Sequence, residues 1–270
     1  MSKTRAPAGT KKLTTRTAGA RARAWLLWIS PWLMFSLVGA QDSRRHFALE
    51  SVAGLRLHNV TAQPATLQGR RGIRVAMSER AQRELASRSR EEQEKLAMTG
   101  GTVEQLAVVE GLEFDNGVIE VEIAGAPMSG AFAGARGFVG LAFRVQNDMR
   151  TYDAFYLRPA NGRADDQVRR NHSAQYISHP EWPWFRLRKE TPEKYESYVD
   201  LVAGEWTKVK IEVRGGQARL FVHDQPQPTL IVNDVKTGPT GKGAIALWLD
   251  IGTEAHFRNL TVTREPSQLP

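Results

Sequence analysis

Trp206-Thr-Lys-Val-Lys-Ile-Glu-Val213, Arg214-Gly-Gly-Gln217 and Ala218-Arg-Leu-Phe-Val-His223 run without a break. In the first limb Val209, Ile211 and Val213 share one face while Lys208, Lys210 and Glu212 share the other. Period-two alternation is the mark of a half-buried strand. The Gly-Gly centre supplies the backbone freedom that a tight hairpin needs. The same alternation recurs upstream. Ile119, Val121 and Ile123 oppose Glu120 and Glu122 in Val118–Ile123, and Leu141, Phe143 and Val145 oppose Arg144 and Gln146 in Gly140–Gln146. Further strands are expected at 152–158, 174–178, 195–201, 243–250 and 255–263, with 54–60 and 65–75 in front, joined by a turn near Gln63-Pro64. Many short strands separated by turns predict an all-β antiparallel sandwich. One inserted helix is expected near 78–98, where Glu79/Arg83, Glu84/Arg88 and Glu91/Lys95 fall at helical pair spacing. Its few apolar positions mark it as a solvated helix bridging two strands.

The net charge of +8 resembles a nucleic-acid signal until it is located. Lys3, Arg5, Lys11, Lys12, Arg16, Arg21 and Arg23 carry most of it, and no acidic residue accompanies them in the first forty positions. The rest of the chain holds 30 basic against 29 acidic side chains, so a polyanion partner is not indicated. The basic stretch runs into an apolar segment from Ala24 to Ala40 that ends in the small residues Val38-Gly39-Ala40, the pattern of an export signal. Residues 1–40 are therefore expected to be a signal peptide, cleaved before Gln41, with 41–270 forming the sandwich domain. A retained anchor is the competing reading, but a spanning helix needs ~20 apolar residues, and Ser30 and Pro31 interrupt a shorter run. The expected location is periplasmic or extracellular, with no membrane contact after cleavage. The chain has 0 cysteines, which excludes thiol catalysis and thiolate metal sites.

Between the strands lies an unusual stretch, Arg158 to Asp200, which concentrates arginines, Trp182, Trp184, Phe185, Tyr176, Tyr195 and Tyr198. Long connections inside a compact domain are functional or disordered, and disordered ones are poor in aromatics. The expectation is an ordered binding surface. Flat aromatic faces beside Arg, Asn, Asp and His suit a polyhydroxylated ligand.

Phe114-Asp-Asn-Gly-Val-Ile-Glu-Val-Glu, Ala135-Arg-Gly-Phe-Val-Gly-Leu-Ala-Phe-Arg-Val, Tyr152-Asp-Ala-Phe-Tyr-Leu-Arg-Pro-Ala-Asn-Gly, Gly204-Glu-Trp-Thr-Lys-Val-Lys-Ile-Glu-Val and His256-Phe-Arg-Asn-Leu-Thr-Val follow in this order. The series resembles the concanavalin A-like lectin/glucanase superfamily. It is most similar to exported bacterial domains of the 3-keto-disaccharide hydrolase (3-keto-glycoside hydrolase/lyase) family and to laminin G-like modules. The resemblance spans about Leu55 to Val262 and implies a jelly roll. The fold itself hosts lectins, glycosidases and adhesion modules. The Glu-x-Asp-x-x-Glu strand of jelly-roll beta-glucanases is missing.

His172 is the best single acid/base candidate, because an imidazole titrates near neutrality. Its competing reading is a structural histidine in an Arg-rich loop. Glu193 and Glu196 flank Tyr195 and are the candidate carboxylates. Glu120 and Glu122 read as a solvated outer face. Asp165-Asp166 are expected to pair with Arg169-Arg170 and brace the loop. Arg144, Gln146, Tyr156 and Arg158 should share one sheet face. With Asn161, Arg170, Tyr176, Trp182 and Trp184 they form the expected ligand-binding set, the tryptophans serving either as a sugar platform or as a hydrophobic plug. The histidines show no metal-ligand spacing. Calcium would be in keeping with the superfamily resemblance, but the acids form no loop signature, and no cofactor is expected. The leading functional reading is an exported domain that recognises carbohydrate. The alternatives are a hydrolase or lyase acting on an oxidised (3-keto) glycoside, as the family resemblance implies, and a structural or protein-adhesion module.

Overall fold

The computed structural model describes residues 44–89, 91, 92, 95, 103–132 and 134–265. The expected export signal, residues 1–40, lies outside them. Among the described residues, fifteen strands form two antiparallel sheets. The first sheet runs β13 (Leu230–Val232), β12 (Gln217–Val222), β11 (Thr207–Arg214), β6 (Gly117–Pro127), β15 (Thr253–Arg264), β4 (Arg70–Met77) and β3 (Val60–Leu67), with β1 (Arg44–Phe47) on the far half of β15. The second runs β10 (Glu196–Ser197), β9 (Ala174–His179), β8 (Tyr152–Leu157), β7 (Val139–Val145), β14 (Ala244–Leu249), β5 (Leu106–Val109) and β2 (Leu55–His58). The hairpin read from 206–223 is β11 paired with β12, Val213 opposite Ala218. Alternation therefore gives the fold class correctly: an all-β sandwich whose inner faces form one apolar core.

Three expectations about local structure need correction. The turn after β3 falls at Gln68-Gly69, both at positive φ as a two-residue hairpin turn requires, not at Gln63-Pro64. Pro64 sits inside β3 opposite Ile73, tolerated because β3 is an edge strand. The helix near 78–98 stops early. α1 covers Glu79–Ala86, capped by Ser78 and carrying the Glu79–Arg83 pair. Ser89 and Glu92 then cap each other reciprocally, Ser89 Oγ accepting from Glu92 N and Glu92 Oε2 from Ser89 N, so the stretch restarts a helix instead of continuing one. Positions 90, 93, 94 and 96–98 lie outside the described residues. The 158–200 stretch is largely regular: a 3₁₀ turn at Pro159–Asn161, α2 (Gln167–Asn171), β9, α3 (Trp184–Glu190) and β10.

Side-chain parity in the second sheet positions the site. Leu141, Phe155 and Tyr176 are aligned across β7, β8 and β9. Val139, of the same parity, lies so close to Gly125 of the first sheet that a Cβ there would come within 2.6 Å of its Cγ1. That parity therefore faces the core. The opposite parity faces outward, and one cross-strand row on it reads Leu106, Trp248, Gly140, Tyr156, Gln175, Glu196.

Candidate functional site

The outward face of the second sheet carries a cavity of about 360 Å³. Tyr156 and Trp248 stack on the sheet with ring centroids 4.7 Å apart. They do so across Gly140, where a Cβ would fall 2.1 Å from Phe155 O and 2.6 Å from Tyr156 Cα. Replacing Gly140 with Ala should therefore push Tyr156 out of place and cost ~1–3 kcal/mol, the range for overpacking, measured by denaturant unfolding.

Arg158, one step beyond β8 on the same parity, is the centre of the cavity wall. Its Nη2 donates to Tyr156 Oη at 2.7 Å and Gln175 Oε1 at 3.1 Å, and its Nη1 donates to His172 O at 3.1 Å. The guanidinium lies 5.2 Å from the ring centroids of Phe138 and Tyr156 and 5.7 Å from that of Trp184. A planar cation suits such a stacked, bidentate position. Behind it, Glu196 is only 3% exposed and accepts a fork from Arg188 at 2.8 and 2.6 Å. Arg158 Nη1 is 3.6 Å from the same carboxylate. His172 Nδ1 is in ion-pair contact with Glu196 Oε2, although off the direction of a good hydrogen bond. Burial lowers the His172 pKa, and the positive charges of Arg188 and Arg158 add to the shift, against the opposing pull of Glu196.

A second imidazole–carboxylate pair stands at the other end. His179 Nδ1 lies 2.9 Å from Glu104 Oε1, and Tyr152 Oη donates to Glu104 Oε2. Tyr152 in turn accepts from Trp248 Nε1 at 3.0 Å. With Glu104 accepting from both Nδ1–H and the phenol, every donor in this chain is satisfied, and Nε2 is left as the free ring nitrogen of His179, which lines the cavity. Burial drives the Tyr152 hydroxyl well above its usual pKa, reinforced by Glu104, and raises Tyr156 to about 12. Both phenols stay protonated donors at neutral pH.

Asp250 is the sole carboxylate among the described lining residues, which also include Arg136, Arg158, Arg169 and Arg188. Although open to the cavity, it is ringed by protein. Burial raises its pKa, against the pull of the Ile251 amide, His179 and Arg158. A group whose folded pKa is raised contributes stability in acid and loses it as pH rises through that pKa. Asp250→Asn should thus melt no lower than the parent at pH 7–8, with the difference vanishing in acid. It should still weaken ligand binding ~10-fold or more, as loss of a charged hydrogen-bond acceptor does. Arg158 Nε, Asn161 Oδ1 and Arg169 Nε are buried and without a partner among the protein's atoms, and all three residues line the cavity. Buried polar atoms are otherwise almost always paired, so their clustering marks where a polar ligand would dock.

Of the expected residues, His172, Tyr156, Arg158, Asn161 and Trp184 line the cavity, and Glu196 stands behind it. The others lie elsewhere. Arg144 is fully buried and makes five hydrogen bonds, to Asp115 O, Gly215 O, Gly238 O and Thr237 Oγ1. A bulge between β7 and β14, with Arg144 at φ 56°, turns it away from the face of Tyr156 and Arg158. Gln146 donates to the carbonyls of Arg144 and Lys242. Tyr176 has the core-facing parity of β9 and donates to buried Asp153 at 2.5 Å. Arg170 turns outward to Tyr198, and its neighbour Arg169 takes the cavity side. Trp182 lies between Arg186 and Lys236, 3.9 and 4.6 Å from its ring, away from the cavity. Glu193 is exposed at φ 66° on a turn. Asp166 caps α2 through the amides of Val168 and Arg169 instead of pairing with the arginine side chains.

Glu104, Phe138, His179, Arg188, Trp248 and Asp250 went unread as site residues. The available signal was parity, since His179 and Trp248 share the outward face with Gln175 and Gly140, but using it requires the strand register. Among the described residues no three His, Asp or Glu side chains gather as metal ligands.

Fold and site together define a jelly-roll domain with an aromatic, arginine-rich cavity on one sheet. Residues 82–263 match the model of the 3-keto-alpha-glucoside-1,2-lyase-like domain, and the chain belongs to that family. No curated protein matches the chain in sequence. Among solved structures it is similar to the carbohydrate binding module CBM66 from Bacillus subtilis, at TM-score 0.46 and 10% identity over 77% of this chain and 98% of that one. A putative glycosyl hydrolase from Parabacteroides distasonis ATCC 8503 gives TM-score 0.44 and 11% identity over 82% and 94%. A protein of unknown function with a galectin-like fold from Bacillus subtilis gives 0.43 and 12% over 82% and 96%.

Proposed function

We propose that the protein binds one sugar ring in this cavity and cleaves the glycosidic bond of a 3-keto-α-glucoside by elimination across C1 and C2. The observation that carries this reading is His179, a cavity-lining residue held through Nδ1 by Glu104, which leaves Nε2 as its free ring nitrogen. A carboxylate behind an imidazole orients it and stabilises the imidazolium it becomes. The second support is the family, whose name specifies that bond.

A ketone at C3 makes the C2–H acidic. His179 Nε2 takes that proton, and negative charge develops on the C3 oxygen. Arg158 and Arg169, each with a buried unpartnered Nε, are the donors for that oxyanion, and preorganised donors of this kind contribute most in a water-poor site. Collapse of the enolate forms the C1–C2 double bond and breaks the C1–O bond. The leaving oxygen takes a proton from the His172 imidazolium, which the Glu196 carboxylate in contact with it stabilises. The products are a 2-hydroxy-3-keto glycal and the free alcohol, and solvent restores both histidines. Asp250 and Asn161 accept from ring hydroxyls, and Tyr156 and Trp248 supply the apolar floor. Export, read from residues 1–40, would place the enzyme where extracellular glycosides are met.

The test is calorimetry and turnover with a 3-keto-α-glucoside and its unoxidised parent. Binding and alcohol release with the keto sugar are expected. Equal binding of both without release would leave glycan recognition as the function, and binding of neither would remove the sugar reading.

A further inference from the structure

Of the arginines that line the cavity, Arg158 and Arg188 share Glu196. Arg136 and Arg169 form a second pair, set around Ala160. Ala160 N donates to Arg136 O at 3.2 Å, and Arg169 Nη2 reaches Ala160 O at 3.5 Å. Both side chains are held. Arg136 Nη1 donates to Ala135 O at 2.8 Å. The next residue, Gly137, stands at φ 68° with Ala126 Cα 2.8 Å from where a Cβ would be, a turn that only glycine fits. Arg169 stands on α2, whose cap Asp166 turns Oδ1 to the amides of Val168 and Arg169. Arg169 Nε is buried without a partner among the protein's atoms, so this guanidinium has donor capacity left for a ligand. Burial lowers the Arg136 pKa, and the positive charge of Arg169 adds to the shift. Two like charges brought together away from bulk water repel. An anion between them replaces repulsion with charge-assisted hydrogen bonds.

We propose that Arg136 and Arg169 form an anion subsite and that the glycoside taken by this cavity carries a carboxylate. The inference rests on the reading of the cavity as a sugar site and adds the charge of the substrate. It does not depend on which bond is cleaved. A guanidinium presents donors along two edges, so Arg169 serves the ring oxyanion through Nε and the carboxylate through its Nη atoms. The planar fork of each arginine matches the planar carboxylate.

The experiment is calorimetry on the full chain carrying His179→Ala, so that no substrate is consumed. One pair of 3-keto-α-glycosides, the methyl glucuronide and the methyl glucoside, differs in charge on the ring. A second pair, the 4-carboxyphenyl and 4-carbamoylphenyl glucosides, differs in charge on the aglycone. In at least one pair the acid should bind about tenfold tighter than its neutral partner, as a charged hydrogen bond contributes, and the difference should shrink with added salt. The pair that shows it locates the carboxylate. Adding Arg136→Gln, which keeps donors and loses the charge, should erase most of the difference. Arg136→Lys should retain most of it, and circular dichroism checks the fold of each variant. Equal binding within both pairs overturns the subsite, as does a difference that survives Arg136→Gln, and either result leaves the sugar reading standing. If none of the four binds, the sugar reading fails and titration with inorganic sulfate decides the subsite. Weaker sulfate binding in Arg136→Gln supports it, and equal binding or none overturns it.

Discussion

His179→Ala should lower turnover of a 3-keto-α-glucoside by about 10²–10⁴-fold, the range for loss of a general base, while changing substrate affinity little. Stability should survive better than activity, because Tyr152 still donates to Glu104 when the imidazole is gone and Trp248 still donates to Tyr152. A Glu104→Gln companion separates orientation from proton transfer. The amide keeps one acceptor for Nδ1–H but no longer stabilises the imidazolium, so kcat should fall with little change in KM. Steady-state kinetics with a thermal melt of each variant checks both. Full activity in His179→Ala would move the base to His172.

Arg158→Ala should abolish sugar binding and cost ~1–3 kcal/mol of stability, the range for leaving buried acceptors without their donor. Both effects follow from one position. Its guanidinium ties Tyr156, Gln175 and the His172 carbonyl together and fills the space among three aromatic rings. Glu196 retains Arg188, so the carboxylate keeps a partner and the domain should still fold. Arg158→Lys should restore part of the stability and little of the binding, since an ammonium cannot reproduce the fork. Denaturant unfolding and calorimetry measure the two losses separately. Arg144 supplies the contrast. Truncating it leaves the carbonyls of Asp115, Gly215 and Gly238 without their donor, which should reduce stability without altering the cavity.

Comparison of Arg144 with Arg158 shows what was legible in the sequence. Alternation identified β6, β7, β11 and β12 and the sandwich they build, because period two reports directly which side chains are buried. It placed Arg144 beside Tyr156 because a bulge leaves no trace in an alternating string. One extra residue in β7 opposite β14 reversed the direction of the side chain. Tyr176 was selected for its chemistry, although the alternation of β9 already put it opposite Gln175 and Ile177. The 3-keto-glycoside family was legible in the order of its motifs, and the matching family model covers most of the same span. His172 and Glu196 were legible as types but not as a pair, since their contact depends on β10 pairing with β9. Glu104 lies 75 positions from His179 in a segment without alternation, and long-range register alone brings the two together.

The elimination is tested most directly with a 3-keto-α-glucoside deuterated at C2. Alcohol release should slow relative to the protonated substrate, the deuterium should pass to solvent, and an absorbing enone should appear with the alcohol in equal amount. Release at an unchanged rate, with the C2 deuterium retained in a saturated sugar product, would contradict proton abstraction by His179 and make the site a hydrolytic one.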